Sequence, residues 1–256
     1  PDYHVNGDAQ CFPLYRYDDL GNRVDNITDW ALRQFQQQYA QTVGAGLVPA
    51  QAASTTTRAT TRVAPTGDAI TKQDIFHYVY AVLHHPAYRA KYQLNLKREF
   101  PRIPFYDDFW QWASWGQQLM QLHLNYETIE PYPLQRDDKD PETTRTPYKT
   151  RLCRVKACLD PTSAPADGII EIDTLTTLSG IPAAAWEYQL GNRSALEWVL
   201  DRYKERTPKD PTIRKQFNTY RFRDYKEQVI DLLARVCTVS VETMQIIQQM
   251  PAESLV

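Results

Sequence analysis

Apolar positions concentrate in one stretch of the chain, Thr71–Glu127, which reads TKQDIFHYVYAVLHHPAYRAKYQLNLKREFPRIPFYDDFWQWASWGQQLMQLHLNYE. Thr71 followed three residues later by Asp74 has the form of a capping box, with Asp in place of the usual Glu. Ile75, Val79 and Val82 then recur at helical spacing, and Phe76, Tyr80 and Leu83 form a second row. A helix apolar on two rows is expected to be mostly buried. Pro86 ends it and suits the first turn of a short helix through Ala87–Tyr92. Pro101 and Pro104 push the residues before them towards extended backbone, so Leu94–Phe105 is expected to be stiff and non-helical. Asp107 and Asp108 open a third helix with Phe109, Trp112, Ala113, Gly116 and Met120 on one side. Helices Thr71–Leu83 and Asp107–Leu122 are expected to form the largest apolar cluster, with Trp112 inside it.

Outside this stretch the pattern is weaker. Phe12, Leu14 and Tyr17 alternate as the inward face of an edge strand, where Pro13 is tolerated. Asn26-Ile-Thr28 opens a helix whose buried side carries Trp30, Ala31 and Phe35. Residues 41–69 are small, polar and without period, as expected of a flexible Ala/Thr-rich loop. After Glu127 comes a Pro-rich acidic connection expected on a rim. A strand follows over Arg151–Leu159, with Cys153, Val155, Ala157 and Leu159 on one face. Asp167-Gly168 signals a turn before a second strand, Ile169–Leu175, and the two are expected to pair as a hairpin. Ala183–Leu190 reads as a short helix stopped by Gly191. Ser194 with Glu197 forms a second capping box, opening a helix with Leu196, Val199 and Tyr203 in its core stripe and Trp198 and Arg202 flanking it. The last helical region, Asp224–Met250, is expected to break near Ser240, because Thr238–Val241 are weak helix formers. The fold class is therefore α+β: mostly helical, with a small antiparallel β-sheet around residues 151–175.

Three segments, in order, carry a family resemblance: DIFHYVYAVLHHPAYRAKYQLNLKREFPRIPF with the aromatic helix ending in LHLNYE, GIPAAAWEYQLGNRSALEWVLDRYKERTPKDP, and DLLARVCTVSVETMQIIQQMP. They resemble the C-terminal target recognition part of Type ISP restriction-modification enzymes, single-chain relatives of Type I restriction systems. The resemblance implies nuclease, helicase-like ATPase and adenine-methyltransferase modules upstream in the same polypeptide, in a bacterial cytoplasmic defence enzyme directed at phage. It implies S-adenosylmethionine, ATP and Mg²⁺ as cofactors of those modules and none in this segment. Residues 1–69 then read as a connector from the methyltransferase, through an FPLY-type segment, and 70–256 as the target recognition domain. The chain opens PDYHVNGD without a methionine, as expected of a piece of a longer protein. Its partners would be double-stranded DNA and the upstream methyltransferase and helicase-like modules.

Charge sharpens this picture. The net charge is only −2, yet cations are segregated. Lys72–Arg102 holds six against two acids, Arg202–Lys226 nine against three, and Arg145–Lys156 has cations with no acid between them. Segregated cations are what phosphate binding requires, since affinity comes from displacing condensed counterions. Arg154 and Lys156 are expected to project from the outer face of the Arg151–Leu159 strand towards base edges, with Lys149 and Arg151 on phosphates. Asn192 and Arg193 precede a capped helix whose amides would face phosphate, and their side chains suit adenine and guanine edges. Lys97, Arg98 and Arg102 rank after these, because arginines between prolines often pin backbone.

No catalytic constellation accompanies these cations. The sequence lacks a GxxxxGK[ST] loop, HExxH and an Asn-Pro-Pro-aromatic segment. Four cysteines, 11, 153, 158 and 237, have no metal-site spacing. Glu171 and Asp173 read as a solvated strand face, His84-His85 as a helix end, and His77 and His123 as packed. No apolar run is long enough to span a membrane. The segment is thus expected to be a non-enzymatic, sequence-reading DNA module. The alternative is a scaffold domain that docks on the methyltransferase without reading bases.

Overall fold

A computed structural model describes residues 12–44, 69–139, 168–205, 209–212, 215 and 220–252. The chain divides into two units, Pro1–Met120 with Met250–Val256, and Gln121–Gln249. In unit one, β1 (Tyr15–Tyr17) pairs antiparallel with β2 (Arg23–Asp25). Asp18 ties the loop between them, its Oδ1 accepting from the amides of Leu20 and Asn22 at 2.9 and 2.8 Å. The strand is where the alternation put it, but Tyr17 is exposed and Phe12 is partly so, its ring edge-on to Phe100 at 5.5 Å. Helix α1 (Asp29–Gly44) follows, with Thr28 Oγ1 accepting from the Ala31 amide at 3.2 Å. Phe35 is buried while Trp30 is 66% exposed, correcting the expected shared face. Residues five apart on a helix point roughly 140° from one another.

Helix α2 (Lys72–His84) starts on the capping box read from sequence: Thr71 Oγ1 accepts from the Asp74 amide and Asp74 Oδ2 from the Thr71 amide. It buries Ile75, His77, Tyr78, Ala81 and Val82, leaving Phe76, Tyr80 and Leu83 only half-buried. Helix α3 (Pro86–Tyr92) leads to one 3₁₀ turn, Asn95–Lys97, in the stretch expected to be non-helical. Helix α4 (Phe109–Leu124) buries Phe109, Trp112, Ala113, Trp115 and Leu119. Gly116 lets α4 approach α2: a Cβ there would lie 1.7 Å from the His77 carbonyl oxygen. Only a residue without a side chain fits such a contact.

Rings fill the space between these helices. Tyr78 stacks on Phe109 at 5.2 Å and Tyr106 on Trp112 at 4.3 Å, with Phe35 edge-on to Tyr78. The Tyr78 hydroxyl donates to Pro104 O at 2.8 Å and accepts from the Tyr106 amide at 2.7 Å. Burial pushes its pKa far above the ordinary tyrosine value. His84 Nδ1 bonds Tyr80 O at 2.8 Å, the helix-end role expected of the pair, whereas His85 is buried and bonds Pro251 O through Nε2 at 2.7 Å.

Unit two is built on an antiparallel sheet of order β3-β5-β4: β3 (Gln135–Asp138), β4 (Gly168–Glu171) and β5 (Thr176–Ile181). Two sequence expectations change here. Ile169–Leu175 is not one strand; the chain turns after Glu171 because Asp173 Oδ1 accepts from the amides of Leu175 and Thr176, at 2.9 and 2.8 Å. This is an Asx-type turn that needs no glycine. The third strand, β3, comes from the acidic connection. The expected Arg151–Leu159 strand lies outside the described residues.

Beyond the sheet, α5 (Ala183–Glu187) ends before the expected Leu190. The hairpin β6 (Gln189–Leu190) and β7 (Arg193–Ser194) leads into α6 (Ala195–Tyr203). Helix α7 (Lys226–Gln248) is unbroken, contrary to the expected break. Ser240 is buried and its hydroxyl donates to Val236 O at 2.7 Å, so its polar group is satisfied inside the helix, and burial of Val236, Cys237, Val239 and Thr243 around it outweighs weak local propensity. A core of Ile170, Ile172, Leu178, Ile181, Leu196, Phe222, Leu233 and Cys237 joins sheet and helices. The apolar content is therefore shared with a second core, instead of residing chiefly in α2 and α4.

Candidate nucleic-acid interface

The hairpin ahead of α6 is organised by its glycine. Leu190 pairs with Arg193, so Gly191 and Asn192 are the two central residues. Gly191 has φ 74°, while Asn192 is not among the residues of positive φ. That combination is a type II′ turn, whose twist matches that of the flanking strands. It places Asn192 at an exposed tip and Arg193 at the start of the returning strand.

Helix α6 buries Ala195, Leu196 and Leu200, while Trp198 and Asp201 share a different face at a spacing of three. Arg193 lies over that face. Its Nη1 is 3.1 Å from Asp201 Oδ2, and its Cζ is 5.7 Å from the Trp198 ring centroid. Trp198 Nε1 donates to Leu190 O at 2.8 Å, tying the same face to the opposite strand of the hairpin. Sequence reading noted Trp198 only as a flank and did not single out Asp201. The available signal was their spacing of three on the helix that follows Arg193.

The expected phosphate site at the start of α6 is not formed. Glu197 reaches back to the Ser194 amide at 2.8 Å, and Ser194 Oγ accepts from the Glu197 amide at 3.2 Å. The Ala195 amide donates to Tyr188 O at 3.2 Å. These amides are occupied, and a carboxylate sits where a phosphate would approach.

Arg98 and Arg102 belong to unit one and are exposed. It is the Arg102 carbonyl, not its side chain, that is pinned, by the Tyr88 hydroxyl at 2.9 Å. The Arg102 side chain is 91% exposed, with Glu99 3.8 Å away. Lys97 ends the 3₁₀ turn. Lys149, Arg151, Arg154 and Lys156 lie outside the described residues.

Other members of the cationic runs hold the fold. Lys72 bonds Asp25 and Asp29 at 3.0 and 2.6 Å. Lys226 reaches the buried Asp173 carboxylate at 2.7 Å and the Thr176 hydroxyl at 2.6 Å. Asp173 is thus a buried turn anchor, correcting the expected solvated face. Asp138 accepts from the Thr176 hydroxyl, which holds its carboxyl below the usual range, with help from Arg136. Arg136 also forks onto Glu227 at 2.6 and 3.0 Å, lowering the Glu227 pKa. Among the described residues, no group of His, Cys, Asp and Glu is arranged to hold a metal, and no helix is long and apolar enough to cross a membrane.

A family model, described as the Type ISP C-terminal specificity domain, matches residues 1–232. The chain belongs to this family. Among solved structures, the specificity domain is similar to a chain in a cryoEM structure of a DrdV–DNA complex, with 53% identity and TM-score 0.75 over 96% of its length. It is also similar to a nuclease-deletion mutant of the Type ISP restriction-modification enzyme LlaGI in complex with a DNA substrate mimic, with 30% identity and TM-score 0.53 over 74%. The ATP-dependent Type ISP enzyme LlaBIII, bound to DNA, shares the fold at 23% identity and TM-score 0.60 over 94%. The specificity domain spans 22%, 17% and 14% of those three chains. No curated protein matches it.

Proposed function

We propose that this specificity domain reads the DNA target of a larger Type ISP restriction-modification polypeptide and supplies no catalytic group of its own. In this reading ATP, Mg²⁺ and S-adenosylmethionine serve other modules of a bacterial cytoplasmic enzyme. The observation that carries it is the 53% identity, over 96% of the chain, to a protein solved in complex with DNA. Asn192 and Arg193 are the described residues best placed for base edges, at an exposed hairpin tip narrow enough for a major groove. Lys149, Arg151, Arg154 and Lys156, with Lys97, Arg98 and Arg102 after them, would hold backbone or add to readout.

Binding of the chain to specific and scrambled duplexes over a salt series tests this. Lys149→Ala is expected to weaken binding to every duplex and to flatten the salt slope by about one unit. Arg193→Ala is expected to cost specific binding about 1–3 kcal/mol and to leave non-specific binding nearly intact. Equal affinity of the unaltered chain for specific and scrambled duplexes would sink the reading.

One observation favours an additional docking role. Unit one carries an apolar groove of about 510 Å³ lined by Phe12, Ile27, Phe76, Val79, Leu83 and Phe100. Those α2 side chains come from both of the rows that sequence reading expected to be mostly buried. A groove of that size and character suits another module of the same polypeptide. Val79→Asp is expected to weaken that assembly without changing which duplex sequence is preferred.

A further inference from the structure

Arg193 is held in a way that plain backbone binding does not require. Asp201 engages Nη1 at 3.1 Å, and the guanidinium lies over the Trp198 ring. The Nε–Nη2 edge has no hydrogen-bond partner among the described residues, and the side chain remains 43% exposed. Trp198 is fixed in turn by its bond to Leu190 O at 2.8 Å, so helix, tip strand and arginine form one frame.

Two physical consequences follow. An arginine paired with a carboxylate has little net charge to exchange for counterions, so it adds little to phosphate affinity. Its directed donors are undiminished, and two parallel N–H groups match the N7 and O6 acceptors of guanine. Holding the plane in advance also removes part of the side-chain entropy lost on binding.

We propose that Trp198 and Asp201 are positioning residues that present the Nε–Nη2 edge of Arg193 to a guanine in the target. This rests on the domain reading DNA as proposed above. Asp201 sets the rotation of the guanidinium by holding Nη1, and Trp198 sets its plane. Arg193→Lys keeps the charge and loses the fork, so it does not substitute.

The experiment is selection of bound sequences from a randomised duplex pool by the full chain, with base preference scored at each position and melting followed in parallel. The unaltered chain is expected to select guanine at one position that Arg193→Ala and Arg193→Lys both relax, by about 10- to 100-fold. Asp201→Asn and Trp198→Leu are expected to relax the same position by about 3- to 10-fold with other positions unchanged; the salt slope holds in Trp198→Leu and steepens by up to about one unit in Asp201→Asn, which frees the Arg193 charge. Trp198→Phe, which retains a ring face, recovers most of the preference. A purely structural role would instead weaken every position together as melting falls.

Full guanine preference in Asp201→Asn and Trp198→Leu, with loss in Arg193→Ala, would overturn the positioning inference and leave the recognition reading standing. Unchanged preference everywhere in Arg193→Ala would also overturn the inference, with recognition assigned to other residues. Selection of no sequence by the unaltered chain would overturn the recognition reading itself, and the inference with it.

Discussion

In unit one, the polar groups buried between helices are neutral: the Tyr78 hydroxyl, bonded to Pro104 O and the Tyr106 amide, and the imidazoles of His77 and His85. In unit two, the sheet carries the buried Asp173 carboxylate against Lys226, next to the Asp138–Arg136–Glu227 chain of charges. Tyr78, His85 and Asp173 each make at least one hydrogen bond or ion pair, and the two arrangements fail differently. Removing carbon from a ring-packed core leaves a cavity, whereas removing one member of a buried ion pair leaves a charge without a partner. Unit one therefore depends chiefly on shape, and unit two on shape and on charge balance.

The strongest test of the first half is Trp112→Ala, expected to cost about 3–5 kcal/mol in chemical denaturation. A loss under about 1 kcal/mol would show that the ring stack contributes little. For the second half, Lys226→Met is expected to cost about 3 kcal/mol, because it strands the Asp173 carboxylate in a dry turn. Adding Asp173→Asn should return part of that loss, since the amide oxygen still accepts from the Leu175 and Thr176 amides. A double variant no better than Lys226→Met would mean that the charge was never the problem. Ser194→Ala, which removes the cap of α6, is expected to cost about 1 kcal/mol, read as a shift in midpoint at unchanged denaturant slope.

Acid separates the two units by pH window. Burial lowers the pKa of His77, His84 and His85, so the folded state binds fewer protons than the unfolded state there. Their contribution is complete above the unfolded histidine value and declines as pH falls below about 6.5. Asp138 and Glu227 are also lowered, by Thr176 and Arg136 respectively, and their contribution is present above about pH 4 and lost only below it. Hydrogen exchange by segment is expected to show α2 and α3 losing protection in milder acid than β3 and the start of α7. The reverse order would remove the contrast. The smallest effect belongs to Ser240→Ala, expected within about 0.5 kcal/mol, because the back-bonded carbonyl keeps its place in the helix ladder.

What was legible in the sequence was local. Both capping boxes, Thr71–Asp74 and Ser194–Glu197, use residues three apart and formed as read. Strand β3 was missed because all four of its residues are exposed, so it shows no alternation; only its pairing with β5 reveals it. The turn at Asp173 was missed because a carboxylate, not a glycine, closes it. Gly180 shows the converse: with φ 79° it stays within β5, so a glycine of that conformation does not by itself end a strand. At the candidate site, Asn192 and Arg193 were legible as a turn before a capped helix. The runs of Lys and Arg could not show that Lys72 and Lys226 were committed to Asp25, Asp29 and Asp173, because those partners are distant in sequence. Asp201 escaped notice for the same kind of reason, being defined by what lies above it in space.

Gly116 and Gly191 are both required, and only one of them is required for room. Nothing lies within 4 Å of a side chain added at Gly191; the obstacle there is its φ of 74°. The constraint at the hairpin tip is one of handedness. An L-alanine at 191 should therefore distort the turn that aims Asn192 and Arg193, while its mirror image, introduced by chemical ligation, should fit and stiffen it. The tip can thus be rigidified or loosened by choosing a stereocentre, with the side chains of Asn192 and Arg193 unchanged.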